Sequence, residues 1–148
     1  PVNVEYVGDW EKNMNLIRGA YSQGREIILL GYSMGCQKAV ELIATECYKE
    51  NIPIKMIVLY DPTCTNDKEI SFPTTVGEAD IHFSTASIDA MAWARGNPKH
   101  IRENGKTRIR VHYDSGAHAG FVTWKNVGED LRADIDKIQE RELVVNYP

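Results

Sequence analysis

Two nearly unbroken apolar runs, residues 26–30 (EIILL) and 54–60 (IKMIVLY), bracket a stretch whose apolar residues recur every three or four positions. A strand without polar alternation has no face to give to water, so such runs belong in a parallel sheet covered on both sides. Between them Cys36, Ala39, Val40, Ile43 and Cys47 stripe one face of a helix predicted over residues 35–50, with Lys38, Glu41 and Glu46 elsewhere. Parallel neighbours require a crossover, and a helix of this length supplies one. The pattern therefore predicts a β-α-β unit.

The rest of the chain repeats the alternation. Residues 2–7 (VNVEYV) read as a strand, and Asp9 can cap a helix on which Trp10, Met14, Ile17 and Tyr21 share a face, with Gly24 ending it. Residues 63–77 hold polar and turn residues and read as a surface loop. Strands are predicted over 79–87 and 108–113, a short helix over 89–95, and a last amphipathic helix striped by Val127, Leu131, Ile135 and Ile138. The expected architecture is α/β: a three-layer αβα sandwich around a mostly parallel, roughly five-stranded sheet, with residues 1–148 as a single domain.

Composition narrows the function classes. With 148 residues, 43% of them hydrophobic, the chain has enough apolar surface for a core, which excludes a disordered or low-complexity reading. A formal charge of −4 argues against a nucleic-acid footprint. No apolar run is long enough for a membrane span, and no signal peptide is expected. Cys36 and Cys47 would lie about 16 Å apart on one helix, at ~1.5 Å per residue, too far to pair. With Cys64 they read as core thiols of a cytoplasmic protein.

The chemistry concentrates in Gly31-Tyr32-Ser33-Met34-Gly35, a G-x-S-x-G placed directly after a buried strand and before an amphipathic helix. In that context the serine occupies a tight turn, and the two glycines remove side chains that would meet the helix and the neighbouring strand. The Met34 backbone N–H, at the helix start, can face a developing oxyanion. A plainer reading has Ser33 as the N-cap of a strand-to-helix turn in another doubly wound protein. The glycines fit neither a dinucleotide fingerprint nor a P-loop. GYSMG in this setting resembles the nucleophile elbow of the α/β-hydrolase superfamily, which includes lipases, esterases, cutinases and thioesterases.

That resemblance implies a minimal α/β-hydrolase fold, a Ser-Asp-His order along the chain and no cofactor. His118, in the loop Ser115-Gly116-Ala117-His118-Ala119-Gly120 after the last strand, matches the position of the superfamily's base. His82 and His112 fall inside strand-like runs, and His100 in a polar surface stretch. For the acid, Asp61 closes the strand beside the elbow strand, in Tyr60-Asp61-Pro62, and resembles the aspartate of pancreatic-type lipases. Asp89, after the following strand, is the alternative acid at the commoner position. Either aspartate can equally cap a turn or short helix. Asp114 is read as capping the His118 loop, and His112, Asp114 and His118 lack the spacing of a metal site. Trp93, Tyr113, Phe121 and Trp124 read as core or pocket lining.

The implied activity is cleavage of a small-molecule carboxylic ester or thioester through an acyl-enzyme. The sequence departs from the superfamily in one respect. Only about one β-α unit precedes Ser33, and no His-Gly oxyanion motif stands there; Gly8-Asp9, after the first predicted strand, is the only glycine-bearing loop that could serve in its place. The expectation that opposes catalysis is an inactive α/β-hydrolase-like binding module, or a fragment of a longer chain lacking the usual early strands.

Overall fold

The computed structural model describes residues 10–32, 35–64, 68–84 and 96–114. The predicted strand 2–7, the helix 89–95 and the helix carrying Val127 to Ile138 lie outside them. The described elements are α1 (Trp10–Ser22), β1 (Ile28–Tyr32), α2 (residues 35–49), β2 (Ile54–Tyr60), β3 (Ile70–Ser71), β4 (Val76–Ser84), β5 (Ile101–Arg102) and β6 (Arg108–Asp114). Four strands join in one sheet of order β1-β2-β4-β6, and every pairing is parallel. The mostly parallel α/β architecture is present, with four strands in the described sheet. Among the described residues no helix is long and apolar enough to cross a membrane.

Alternation along the strands sorts the sheet into two faces. Leu29, Ile57, Leu59, Ala79, Ile81 and Phe83 point to one side, where they pack with Met14 and Ile17 of α1 and with Cys36, Ala39, Val40, Ile43 and Cys47 of α2. The predicted stripe of α2 is thus wholly buried. Tyr21, expected on the buried face of α1, is exposed instead, because the packed positions of that helix are Met14 and Ile17.

Both helices end in the same way. Gly24 takes φ +74°, its N–H donates to the Tyr21 carbonyl and Arg25 N–H to that of Ala20. After α2, Asn51 takes φ +56°, its N–H donates to Tyr48 and Ile52 N–H to Cys47. These are paired Schellman closures, with glycine in one and asparagine in the other supplying the left-handed residue. Arg18 then clamps the carboxylate of Glu50 through Nε and Nη2 at 2.7 and 2.8 Å, joining the two helices at the surface. Winding within α2 is mixed: α-helical over Gly35–Gln37 and Thr45–Lys49, but π-helical over Lys38–Ala44.

Three sequence expectations require correction. The run 26–30 is not a strand enclosed on both faces: β1 begins at Ile28, extends to Tyr32, and leaves Leu30 42% exposed. Residues 63–77 are not simply a surface loop. Cys64, Ile70, Phe72 and Val76 are buried in the core, β3 pairs in parallel with β5, and β4 starts at Val76. His100 is buried rather than on a polar surface; its Nδ1 accepts the Asn97 N–H at 3.1 Å, closing a capping box on the 3₁₀ turn Pro98–His100.

A polar hub at Asn104 and Thr107 leads into β6. The Asn104 side chain donates to the Phe72 carbonyl and accepts the N–H groups of Lys106 and Thr107, while the Thr107 hydroxyl donates to Val76. Gly105 supplies the left-handed turn residue between them (φ +74°).

Candidate active site

All four strands of the sheet run the same way, so β1, β2, β4 and β6 deliver the chain to one carboxyl edge, where parallel sheets place their ligands. Tyr32, Tyr60 and His82 are aligned across that edge, with His112 next to His82. The segments leaving it begin at residues 33, 61, 85 and 115. These are the segments that carry Ser33, Asp61, Asp89 and His118.

Ser33 and Met34 lie outside the described residues, but their flanks are defined. β1 ends at Tyr32 and α2 starts at Gly35, leaving two residues to reverse the chain from strand to helix. Such a reversal brings backbone against backbone. A Cβ on Gly31 would stand 2.8 Å from Cys36 Cα, closer than a side chain tolerates against backbone, and 3.1 Å from Cys36 N. The packing role assigned to Gly31 is therefore met. Around Gly35, among the described residues, a Cβ would meet nothing within 4 Å.

Asp61 is the one described member of the expected triad, and it is 1% exposed. Its backbone has φ +44°, a left-handed conformation that turns the chain off β2 toward the end of β4. There its N–H donates to the His82 carbonyl at 2.7 Å, and its Oδ1 accepts the Ser84 N–H at 3.1 Å. The next residue continues the attachment: the Gly96 N–H donates to the Pro62 carbonyl at 2.8 Å. A Cβ on Gly96 would fall 2.7 Å from that carbonyl and 2.9 Å from Cys64 Sγ, so only glycine allows this approach. His118 and Asp89 lie outside the described residues.

The thiols near the edge are inert. Cys36 Sγ donates to the Tyr60 carbonyl at 3.5 Å, and burial raises its pKa further than nearby Asp61 does. Burial also pushes the Cys64 thiol up to about 11. Neither is a thiolate at neutral pH, so no cysteine near the elbow competes as nucleophile. Between α2 and the segment after Asp61 lies a cavity of about 20 Å³ lined by Cys36, Val40, Leu59, Pro62 and Cys64 among others. It has room for roughly one water and none for an acyl chain.

The opposite face of the sheet carries a cluster that sequence reasoning missed. Rings of Tyr60 and His82 stack at 4.8 Å, and those of His82 and His112 at 4.5 Å, so three strands contribute one column. Beside it Asp80, 1% exposed, accepts from Arg110 Nε at 2.6 Å, and His112 Nε2 stands 3.7 Å from its other oxygen. A period-two reading of Glu78-Asp80-His82 against Arg108-Arg110-His112 carries the signal, because acidic and basic residues then share a face. No set of three or more side chains among the described residues could hold a metal ion. No family model matches the chain, and neither a curated protein nor a solved structure matches it.

Proposed function

We propose that the chain is a serine hydrolase acting on a carboxylic ester or thioester, with Ser33 as nucleophile, His118 as base and Asp61 as the residue that orients the base. The observation that carries this reading is the two-residue interval between β1 and α2, with Gly31 pressed against Cys36 at the edge where Asp61 is buried. A strand-to-helix reversal this tight is what a nucleophile elbow needs. Asp61, tethered through Ser84 N–H, is suited to holding an imidazole in one tautomer. Asp89 remains the alternative acid.

In the proposed reaction Ser33 Oγ attacks the acyl carbon as His118 accepts its proton, and the Met34 N–H stabilises the oxyanion. His118 then protonates the departing alcohol or thiol, and a water, deprotonated by the same ring, releases the acid. One observation favours a binding module without catalysis instead: among the described residues, none crowds Gly35 as a tightly packed elbow would.

Fluorophosphonate labelling separates the readings. Labelling is expected for the wild-type chain and absent in Ser33→Ala. Asp61→Asn is expected to lower kcat by about 10⁴ through loss of the correct tautomer, with Asp89→Asn far milder. Folded protein that takes no label would sink the hydrolase reading, and the reverse ranking of the two asparagine variants would move the acid to Asp89.

A further inference from the structure

Of the nine asparagines in the chain, eight precede Val, Met, Leu, Ile, Asp, Pro or Tyr, and Asn104 alone precedes glycine. The difference is chemical. An asparagine loses ammonia when the backbone nitrogen of the next residue attacks its side-chain carbon, and a side chain on that next residue obstructs the approach. Gly105 presents no such obstacle and leaves the backbone free to turn.

The fold holds this amide through both of its protons and both lone pairs of its oxygen. Nδ2 donates to the Phe72 carbonyl and to Thr107 Oγ1, each at 2.9 Å, and Oδ1 accepts the Lys106 and Thr107 N–H groups, each at 2.8 Å. Thr107 Oγ1 commits its own proton to the Val76 carbonyl at 2.8 Å. Phe72 and Val76 both belong to the core, so the amide ties the turn before β6 to the buried layer. Bringing Cγ onto the Gly105 nitrogen requires the amide to rotate, which breaks these bonds together. Ring closure therefore belongs to an opened turn. Loss of ammonia also removes the donor on which the hub depends. An oxygen in place of Nδ2 would face the Phe72 carbonyl with no proton between them, and the Thr107 hydroxyl could serve it only by releasing Val76.

We propose that Asn104-Gly105 is a deamidation site latched by the fold: the amide survives while the turn is closed, and an opening that completes the reaction leaves a turn unable to reclose as before. The Gly105 nitrogen bonds to Asn104 Cγ and gives its proton to water, the Cγ–Nδ2 bond breaks, and ammonia departs. Water then opens the succinimide at Cγ, giving aspartate, or at the main-chain carbonyl, giving isoaspartate with an extra carbon in the backbone. Water is the only co-reactant, and the reaction owes nothing to Ser33 or to any hydrolase activity.

The test is incubation of the wild-type chain at one neutral pH and temperature, native and in urea, followed by peptide mass spectrometry and chromatography that separates isoaspartate. In urea, conversion is expected at Asn104 before any other asparagine. In native buffer the same site should convert roughly ten- to hundredfold more slowly, because opening must break several hydrogen bonds at once. Thr107→Val takes the hydroxyl out of the latch and is expected to speed native conversion roughly three- to thirtyfold while leaving the rate in urea unchanged. Asn104→Asp, which carries the product's side chain, is expected to lower the denaturant midpoint. Equal wild-type rates in native buffer and in urea, earlier conversion of another asparagine in urea, a native rate not raised by Thr107→Val, or an Asn104→Asp chain as stable as the wild type would each overturn the proposal.

Discussion

The two faces of one sheet are built by different rules. On the face under α1 and α2, Leu29, Ile57, Leu59, Ala79, Ile81 and Phe83 join a single apolar cluster. On the other, the sheet changes character strand by strand. Met56, Val58 and Tyr60 of β2 are apolar and buried, while β4 and β6 supply Asp80, His82, Arg110 and His112. The first face gains stability from area removed from water, which is non-directional. The second is held by contacts that depend on angle, charge and register, and such contacts contribute little net energy but specify alignment. Stability and strand alignment are thus assigned to opposite sides of the same four strands.

Neighbouring residues on β4 offer the sharpest way to break this comparison. Ile81→Ala opens a cavity in the covered face and is expected to cost about 2–5 kcal/mol in denaturant unfolding. His82→Ala, one residue on and facing the other way, should cost clearly less; equal losses would erase the distinction. A smaller effect is expected from Asp80→Asn, about 1–3 kcal/mol, because Arg110 keeps an acceptor but loses a charged one. Asp80→Leu with Arg110→Met should restore much of that loss, since a well-packed apolar pair often matches an ion pair. A double variant less stable than the single would show the pair to be a source of stability and not mainly of alignment.

The smallest expected effect concerns alkaline pH and acts only on the covered face, where all three cysteines are buried and free. Burial pushes the thiols of Cys47 and Cys64 up to about 11, so the folded chain keeps protons that the unfolded chain releases in the ordinary thiol range. The folded state then binds more protons, and stability falls as pH rises through that window. Denaturant midpoints measured across it should decline, more gently in Cys47→Ala than in the wild type. A flat profile would mean that the thiols are not held neutral by the core.

Sequence pattern was informative where a single period decided the outcome. The stripe from Cys36 to Cys47 and the apolar run of β2 are buried as their spacing implies. Asp61 was picked out by the resemblance of Tyr60-Asp61-Pro62 to the aspartate of pancreatic-type lipases, and its place at the carboxyl end of β2 follows from the apolar run before it. Residues 63–77 were misread because Cys64, Ile70 and Phe72 enter the core singly, between polar neighbours, and no window shows a period. The π winding of α2 has no compositional mark. The contact between Asp80 and Arg110 needed a register across thirty residues of chain, which local pattern does not contain. Gly35 shows the converse, a motif position whose implied crowding the described residues do not supply.

The attachment of one dipeptide to residues on either side of the interval 85–95 has a further consequence. Asp61 receives the Ser84 N–H just before residues 85–95, and Pro62 receives the Gly96 N–H just after them. Ser84 and Gly96, the residues flanking that interval, are thus both held by one dipeptide. Closing a longer loop on the same two points costs only about 0.6 kcal/mol for each doubling of its length. Because both anchors sit on the residues that directly follow β2, the register of β2 against β4 and the separation of residues 84 and 96 are fixed by the same two hydrogen bonds.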